Sequence, residues 1–216
     1  MEQAIVPYLP YILSAVVVLL SLSVHEFCHG FAAYLLGDNT AKDAGRLTLN
    51  PIKHLDLYGS IIVPVVLLIF KSPIMFAWAK PVPVNTYNMR NHRWGGLLSA
   101  LAGPGSNLIL GIIAAIILKI VYPFYSPNNL LLIFLFECVV INFMLALFNL
   151  VPVPPLDGSR IWSSFLSQKS QFMIERYAPL FVLAVLLIAY DQISAFISWI
   201  LAAIIITFGI PFVQLP

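Results

Sequence analysis

The 216-residue chain is 61% hydrophobic and 9% charged, with 11 Lys+Arg against 9 Asp+Glu and a net charge of +2. A soluble domain carries about 25% charged residues, so composition excludes one here and points to a multi-spanning membrane protein. No Lys/Arg cluster offers a nucleic-acid surface, and Cys28 and Cys138, each in an apolar run, provide neither a disulfide framework nor a cysteine zinc site.

In chain order, residues 3–25 hold no Asp, Glu, Lys or Arg. The apolar run continues to Leu36, which predicts a first helix over about 10–36. The start Met1-Glu2-Gln3 lacks the basic n-region of a signal peptide, so this helix is read as uncleaved. A short apolar stretch predicts a helix over 54–70 that enters the membrane. Trp78-Ala79-Lys80-Pro81-Val82-Pro83-Val84 follows it, and prolines at i and i+2 exclude helix and favour extended chain. Extended segments are expected over 45–49 and 74–84, returning to the side of entry. Backbone of that kind is tolerated at membrane depth only where protein or a wet cavity covers it. Further helices are predicted over 94–119, 130–150, 174–190 and 193–210, with Pro152, Pro154 and Pro155 stopping the fourth and Asp191-Gln192 splitting the tail. The expected fold is therefore an all-α polytopic membrane protein of about five to six membrane helices with a small membrane-associated β-hairpin or sheet. With no repeat, linker or low-complexity tract, 1–216 reads as a single domain.

Basic residues fall in three groups, at Lys42, Arg46 and Lys53, at Lys71, Lys80, Arg90 and Arg93, and at Arg160, Lys169 and Arg176. Placing all three in the cytoplasm puts the N-terminus outside and runs the first helix inward.

The chemistry concentrates in His25-Glu26-Phe27-Cys28-His29, an H-E-x-x-H pattern. Imidazoles at i and i+4 share a helix face and can reach one metal ion, and the adjacent Glu26 can take a proton from metal-bound water. Ionisable groups inside an apolar span are functional candidates by default. Catalytic zinc usually takes three protein ligands. No third histidine follows closely, and Glu137, Asp157 and Asp191 are the acids near apolar spans. The prolines before Leu156-Asp157-Gly158 force an unwound stretch, which gives Asp157 a reason to be held at depth; its plainer reading is a helix cap.

With Asn149 and the Leu156-Asp157-Gly158 turn, the H-E-x-x-H helix resembles the site-2 protease family of intramembrane zinc metalloproteases. Ala102-Gly103-Pro104-Gly105-Ser106-Asn107, Gly45–Pro51 and Trp78–Val84 resemble its short microbial members, and the resemblance covers about 10–190. It implies one zinc ion per chain held by His25, His29 and Asp157, Glu26 as base, a site near the cytoplasmic side of a microbial cell membrane, and a transmembrane helix of another protein as substrate. The loop at 119–129 is too short for the PDZ module of some members, and no nucleotide-sensing domain is expected.

Within that chemistry the developing oxyanion needs a donor. Asn149 is the first candidate and Asn107 the second, although both could simply bond between helices. Asn142, on the face of Asn149, reads as packing glue, and Glu137 as an interfacial acid. His54 and Asp56 sit where they could gate or hydrate the site. In the 78–84 strand, Lys80, Val82 and Val84 keep their N–H groups on one edge while Pro81 and Pro83 leave the other without donors. That strand is expected to pair with unwound substrate, unless its competent edge pairs with 46–49. The partners expected are thus a transmembrane protein and lipid, with no nucleic acid. Two other functions fit parts of the pattern: a membrane metal-ion transporter, and an inactive relative that binds membrane helices. The intact Glu26 argues against the inactive relative.

Overall fold

The computed structural model describes residues 9–70, 78–126, 129–184 and 190–209. It is mostly helical. Helix α1 spans Leu9–Leu35 and α2 spans Thr40–Asp43. A 3-10 turn, Pro51–His54, starts where the Asn50 side chain accepts from Ile52 N. The Asp56 carboxylate accepts from Gly59 N at 2.7 Å and opens a wide turn, Leu57–Ile62, that continues as α3, Val63–Ile69. The expected 54–70 helix therefore begins at Leu57, because Asp56 is its cap. Helices α4 (His92–Val121) and α5 (Leu130–Asn149) are capped by Asn91 and Asn129 in the same way. Then come α6 (Asp157–Ser163), α7 (Gln168–Ala184) and α8 (Tyr190–Phe208). Helix α7 starts six residues before the expected 174; residues 185–189, just before its expected end at 190, lie outside the described residues, and Tyr190 opens α8 three residues before the expected 193.

Among the described residues, three helical stretches are long and apolar enough to cross a membrane: Ile12–Leu35, His92–Phe124 and Leu130–Asn149. They pack on one another, with α4 between α1 and α5 and with α8 against α5. Ala114, Ala115 and Leu118 of α4 interlock with Leu132, Phe136 and Val139 of α5 and with Ile205 of α8. At Gly111 the Phe143 ring lies 3.1 Å from where a Cβ would be, so glycine sets how closely α4 and α5 approach. Phe124, Ile120, Ile109 and Ile206 remain exposed, as surfaces solvated by acyl chains require.

The expected β-pairing of 45–49 with 74–84 is absent: no strand occurs among the described residues, and 74–77 lie outside them. Residues 78–84 run without helix, turn or strand and join no ladder. The reason is that single groups have taken the partners a ladder would use. Lys80 N donates to His54 O at 2.9 Å, and Arg46 Nη2 donates to Lys80 O at 2.7 Å.

The end of α1 is fixed to the start of α4 by a knot around Asp38. Gly37 sits at φ +110°, which favours glycine and turns the chain out of the helix. Asp38 is fully buried, and its carboxylate accepts from Asn85 N at 2.6 Å, Asn88 Nδ2 at 3.1 Å, Thr40 N at 3.1 Å and the Thr40 hydroxyl. Burial pushes its pKa up, but those four donors outweigh it and hold the carboxyl below its ordinary value.

Candidate active site

His25 and His29 stand one turn apart on α1, inside the bundle at 3% and 5% exposure. Asp157 reaches them from α6. The prolines at 152, 154 and 155 end α5, and Asp157 becomes the first residue of the next helix. A Cβ at Gly158 would run into the carbonyls of Leu150 and Val151, so only glycine lets the chain fold back this tightly behind Asp157.

The three side chains meet atom to atom. His25 Nε2 lies 3.0 Å from His29 Nε2, and Asp157 Oδ2 lies 3.1 Å from each. Their other ring nitrogens decide what this means. His25 Nδ1 is 2.6 Å from Asn107 Oδ1, and His29 Nδ1 is 2.7 Å from Ser99 O. Both of those oxygens are acceptors, so both Nδ1 atoms carry the proton. The Asn107 orientation is fixed in turn, because its Nδ2 donates to Asn142 Oδ1 at 2.9 Å and to Ser21 O at 3.4 Å. Each Nε2 therefore presents a lone pair, and so does Asp157 Oδ2. Three buried lone pairs converging on one point repel unless a cation sits among them. Two imidazoles and a carboxylate with outward-bonded Nδ1–H groups are a donor set suited to zinc.

Beside the triad, the Glu26 carboxylate accepts from Val82 N at 2.8 Å. Val82 is buried, and its Cγ1 would lie 2.9 Å from a Cβ on Gly30. Glycine one turn beyond Glu26 thus allows the extended segment to lie flat on α1, with its amide aimed at the base.

The structure brings together His25, Glu26, His29, Asp157, Asn107 and Val82. Asn107, expected as a substrate or oxyanion donor, is fully buried with both ends of its amide engaged. The bond it makes holds His25, which leaves no donor for a substrate. Asn149 is half-buried, and its Nδ2 donates to Leu145 O at 2.9 Å within its own helix. His54 lies outside the triad. It is 2% exposed, and its Nε2 donates to Thr48 O at 2.7 Å. The Lys80 N–H is taken by His54 O, whereas Val84 makes no hydrogen bond among the described residues.

Sequence reasoning overlooked two supporting positions. Ser99, Gly103 and Asn107 recur every four residues along α4, forming one stripe that faces the histidines. Ser99 holds His29, Asn107 holds His25, and a Cβ on Gly103 would strike the Nε2 atoms of both. Small and polar residues at that spacing in an apolar helix were the available signal.

Comparison with known proteins agrees with this geometry. Residues 124–190 match the family described as Peptidase family M50. The chain is 42% identical to YwhC of Bacillus subtilis, over 71% of this chain and 68% of that one, and 32% identical to Rip2 of Mycolicibacterium smegmatis, over 71% and 57%. Both are named as candidate zinc metalloproteases. MJ0392 of Methanocaldococcus jannaschii, named a zinc metalloprotease, is 31% identical over 53% of this chain and 34% of its own. No solved structure matches the chain at a significant level. With a relative this similar over two thirds of both chains, and a buried triad of matching chemistry, the chain belongs to peptidase family M50.

Proposed function

We propose that His25, His29 and Asp157 hold the zinc ion of an intramembrane metalloprotease and that Glu26 is its general base. Family membership makes the chain a zinc metalloprotease. The observation that supports these residue roles is the convergence of three buried lone pairs at 3.0–3.1 Å, each fixed from behind. Bound zinc supplies Lewis acidity toward water and the scissile carbonyl. The protein supplies the rest. Glu26 accepts the proton of the attacking water and delivers it to the leaving amine. Asn149, turned away from Leu145 O, donates to the developing oxyanion.

The substrate is a transmembrane helix of another protein. Its peptide bonds are hidden in i to i−4 hydrogen bonds, so it must unwind locally, and unwound backbone in a bilayer needs new partners. The 78–84 segment provides them by β-augmentation. Its Lys80–Val82 edge is engaged by His54, Arg46 and Glu26. The other edge offers the carbonyls of Ala79, Pro81 and Pro83, to which a substrate can donate, and exchange at Val82 would open the first edge. The distribution of Lys and Arg supports an N-terminus outside and a site toward the cytoplasm, in a bundle of five to six membrane helices. The test is purified protein against a panel of single-span substrates. Wild type cleaves and Glu26→Gln does not; equal cleavage by both would sink the assignment.

A further inference from the structure

A cavity of about 80 Å³ lies beside the triad, between α1, the 51–60 stretch and the extended segment. Val18 and Leu22 line it from α1, His54 and Leu55 from the middle stretch, and Trp78 and Ala79 from the extended chain. Two independent spacings place it next to the reacting centre. Leu22 and Glu26 share a helix face one turn apart, about 6 Å along the axis. Ala79 precedes Val82, whose amide holds Glu26, by three residues of extended chain, about 10 Å. Substrate that exchanges onto the Lys80–Val82 edge, with its scissile bond at Glu26, therefore passes the cavity within a few residues of the cut.

The size and walls of the cavity select the occupant. A cavity of roughly 150 Å³ accommodates benzene. Half that volume, open on one side, favours a branched aliphatic side chain over an aromatic ring. The walls are mainly hydrocarbon, and the Ser23 and Ser60 hydroxyls already donate to Leu19 O and Trp78 O. The His54 ring adds no donor to the wall, because its Nε2–H is spent on Thr48 O and its Nδ1 is closed off from the cavity. What argues for a side chain of the substrate as occupant is position: the wall begins one helical turn from Glu26.

We propose that this cavity is a specificity subsite that receives one aliphatic side chain of the substrate, of valine-to-leucine size, within three residues of the scissile bond. The proposal rests on the protease reading and deepens it. To test it, the wild-type cut in a single-span substrate is mapped by mass spectrometry. The three residues on either side of the cut are then varied through Ala, Leu and Phe. One position should prefer Leu over both others by about tenfold. Val18→Phe, which fills the cavity, should abolish that preference, so that the Leu and Ala substrates are turned over within about twofold of each other. Val18→Ala, which enlarges it, should raise turnover of the Phe substrate, and both variants should keep wild-type zinc content. Absence of any position with a Leu preference would overturn the subsite. So would an unchanged preference in both Val18 variants, or release by Val18→Phe of a co-purifying lipid without change in selectivity. If the wild type cleaves nothing beyond Glu26→Gln, the protease reading itself fails, and this outcome is distinct from loss of selectivity.

Discussion

The triad and the shell that faces it are built to different standards. Around His25, His29 and Asp157 the supporting polar atoms are partnered: Ser99 O and Asn107 Oδ1 accept from the two Nδ1–H groups, and Asn142 Oδ1 and Ser21 O accept from the Asn107 amide. Across from it, in the 46–60 and 78–84 stretches, Arg46 Nε and His54 Nδ1 are buried with no partner among the described residues, and the backbone of 78–84 is held by single bonds instead of a ladder. A metal site gains from rigidity, because ligand orientation fixes affinity. A surface that must accept unwound peptide gains from groups whose bonds can be exchanged. The contrast separates what holds the ion from what meets the substrate, and it can be tested one side at a time.

On the rigid side the largest effect is expected at Gly103. Gly103→Ala puts a methyl group on both Nε2 atoms and should lower zinc content and proteolysis together, by on the order of 100-fold or more. Full zinc occupancy in that variant would mean the triad is not backed by α4. Asn107→Leu removes the partner of His25 Nδ1 and takes the Asn107 donor from Asn142 Oδ1; zinc affinity should fall about 10- to 100-fold, as read by competition with a chelator. On the exchangeable side, Val82→Pro removes the amide that holds Glu26. Turnover of helical substrates should drop about 10- to 100-fold with zinc content intact. Unchanged cleavage by a folded Val82→Pro protein would refute both the clamp and the positioning of the base. The smallest effect should be at Asp38, which bonds to neither the triad nor Glu26. Asp38→Ala should destabilise the detergent-solubilised protein by about 2 kcal/mol and leave the metal untouched. Because the folded carboxyl lies below its ordinary value, its contribution is complete above about pH 4 and is lost as pH falls through the folded value. The wild-type Tm should therefore lose more on acidification than that of Asp38→Ala.

Much of this was legible in the sequence because helical periodicity is local. The i, i+4 histidines, the adjacent Glu26 and the helix at 130–150 follow from spacing and apolar runs alone, and the Pro-rich break marks Asp157 as a residue held at depth. What faces what is not local. Asn107 is conspicuous as an amide in an apolar helix, but only the packing of α4 on α1 shows that it serves His25. The prolines at 81 and 83 announce extended chain correctly. Yet the partner of Val82 N is a carboxylate on another helix, supplied 56 residues earlier, so no pairing rule for strands could find it. Gly30 and Gly103 carry no side chain to notice, and their meaning appears only as the atoms a methyl group would hit.

The central claim is that three residues hold the ion and a fourth does the proton transfer. Metal content measured beside proteolysis in His25→Ala, His29→Ala, Asp157→Ala and Glu26→Gln tests it most directly. The account predicts that the first three lose both metal and activity, and that Glu26→Gln keeps about one zinc per chain while losing activity. A metal-free Glu26→Gln protein alongside a fully loaded Asp157→Ala protein would contradict it.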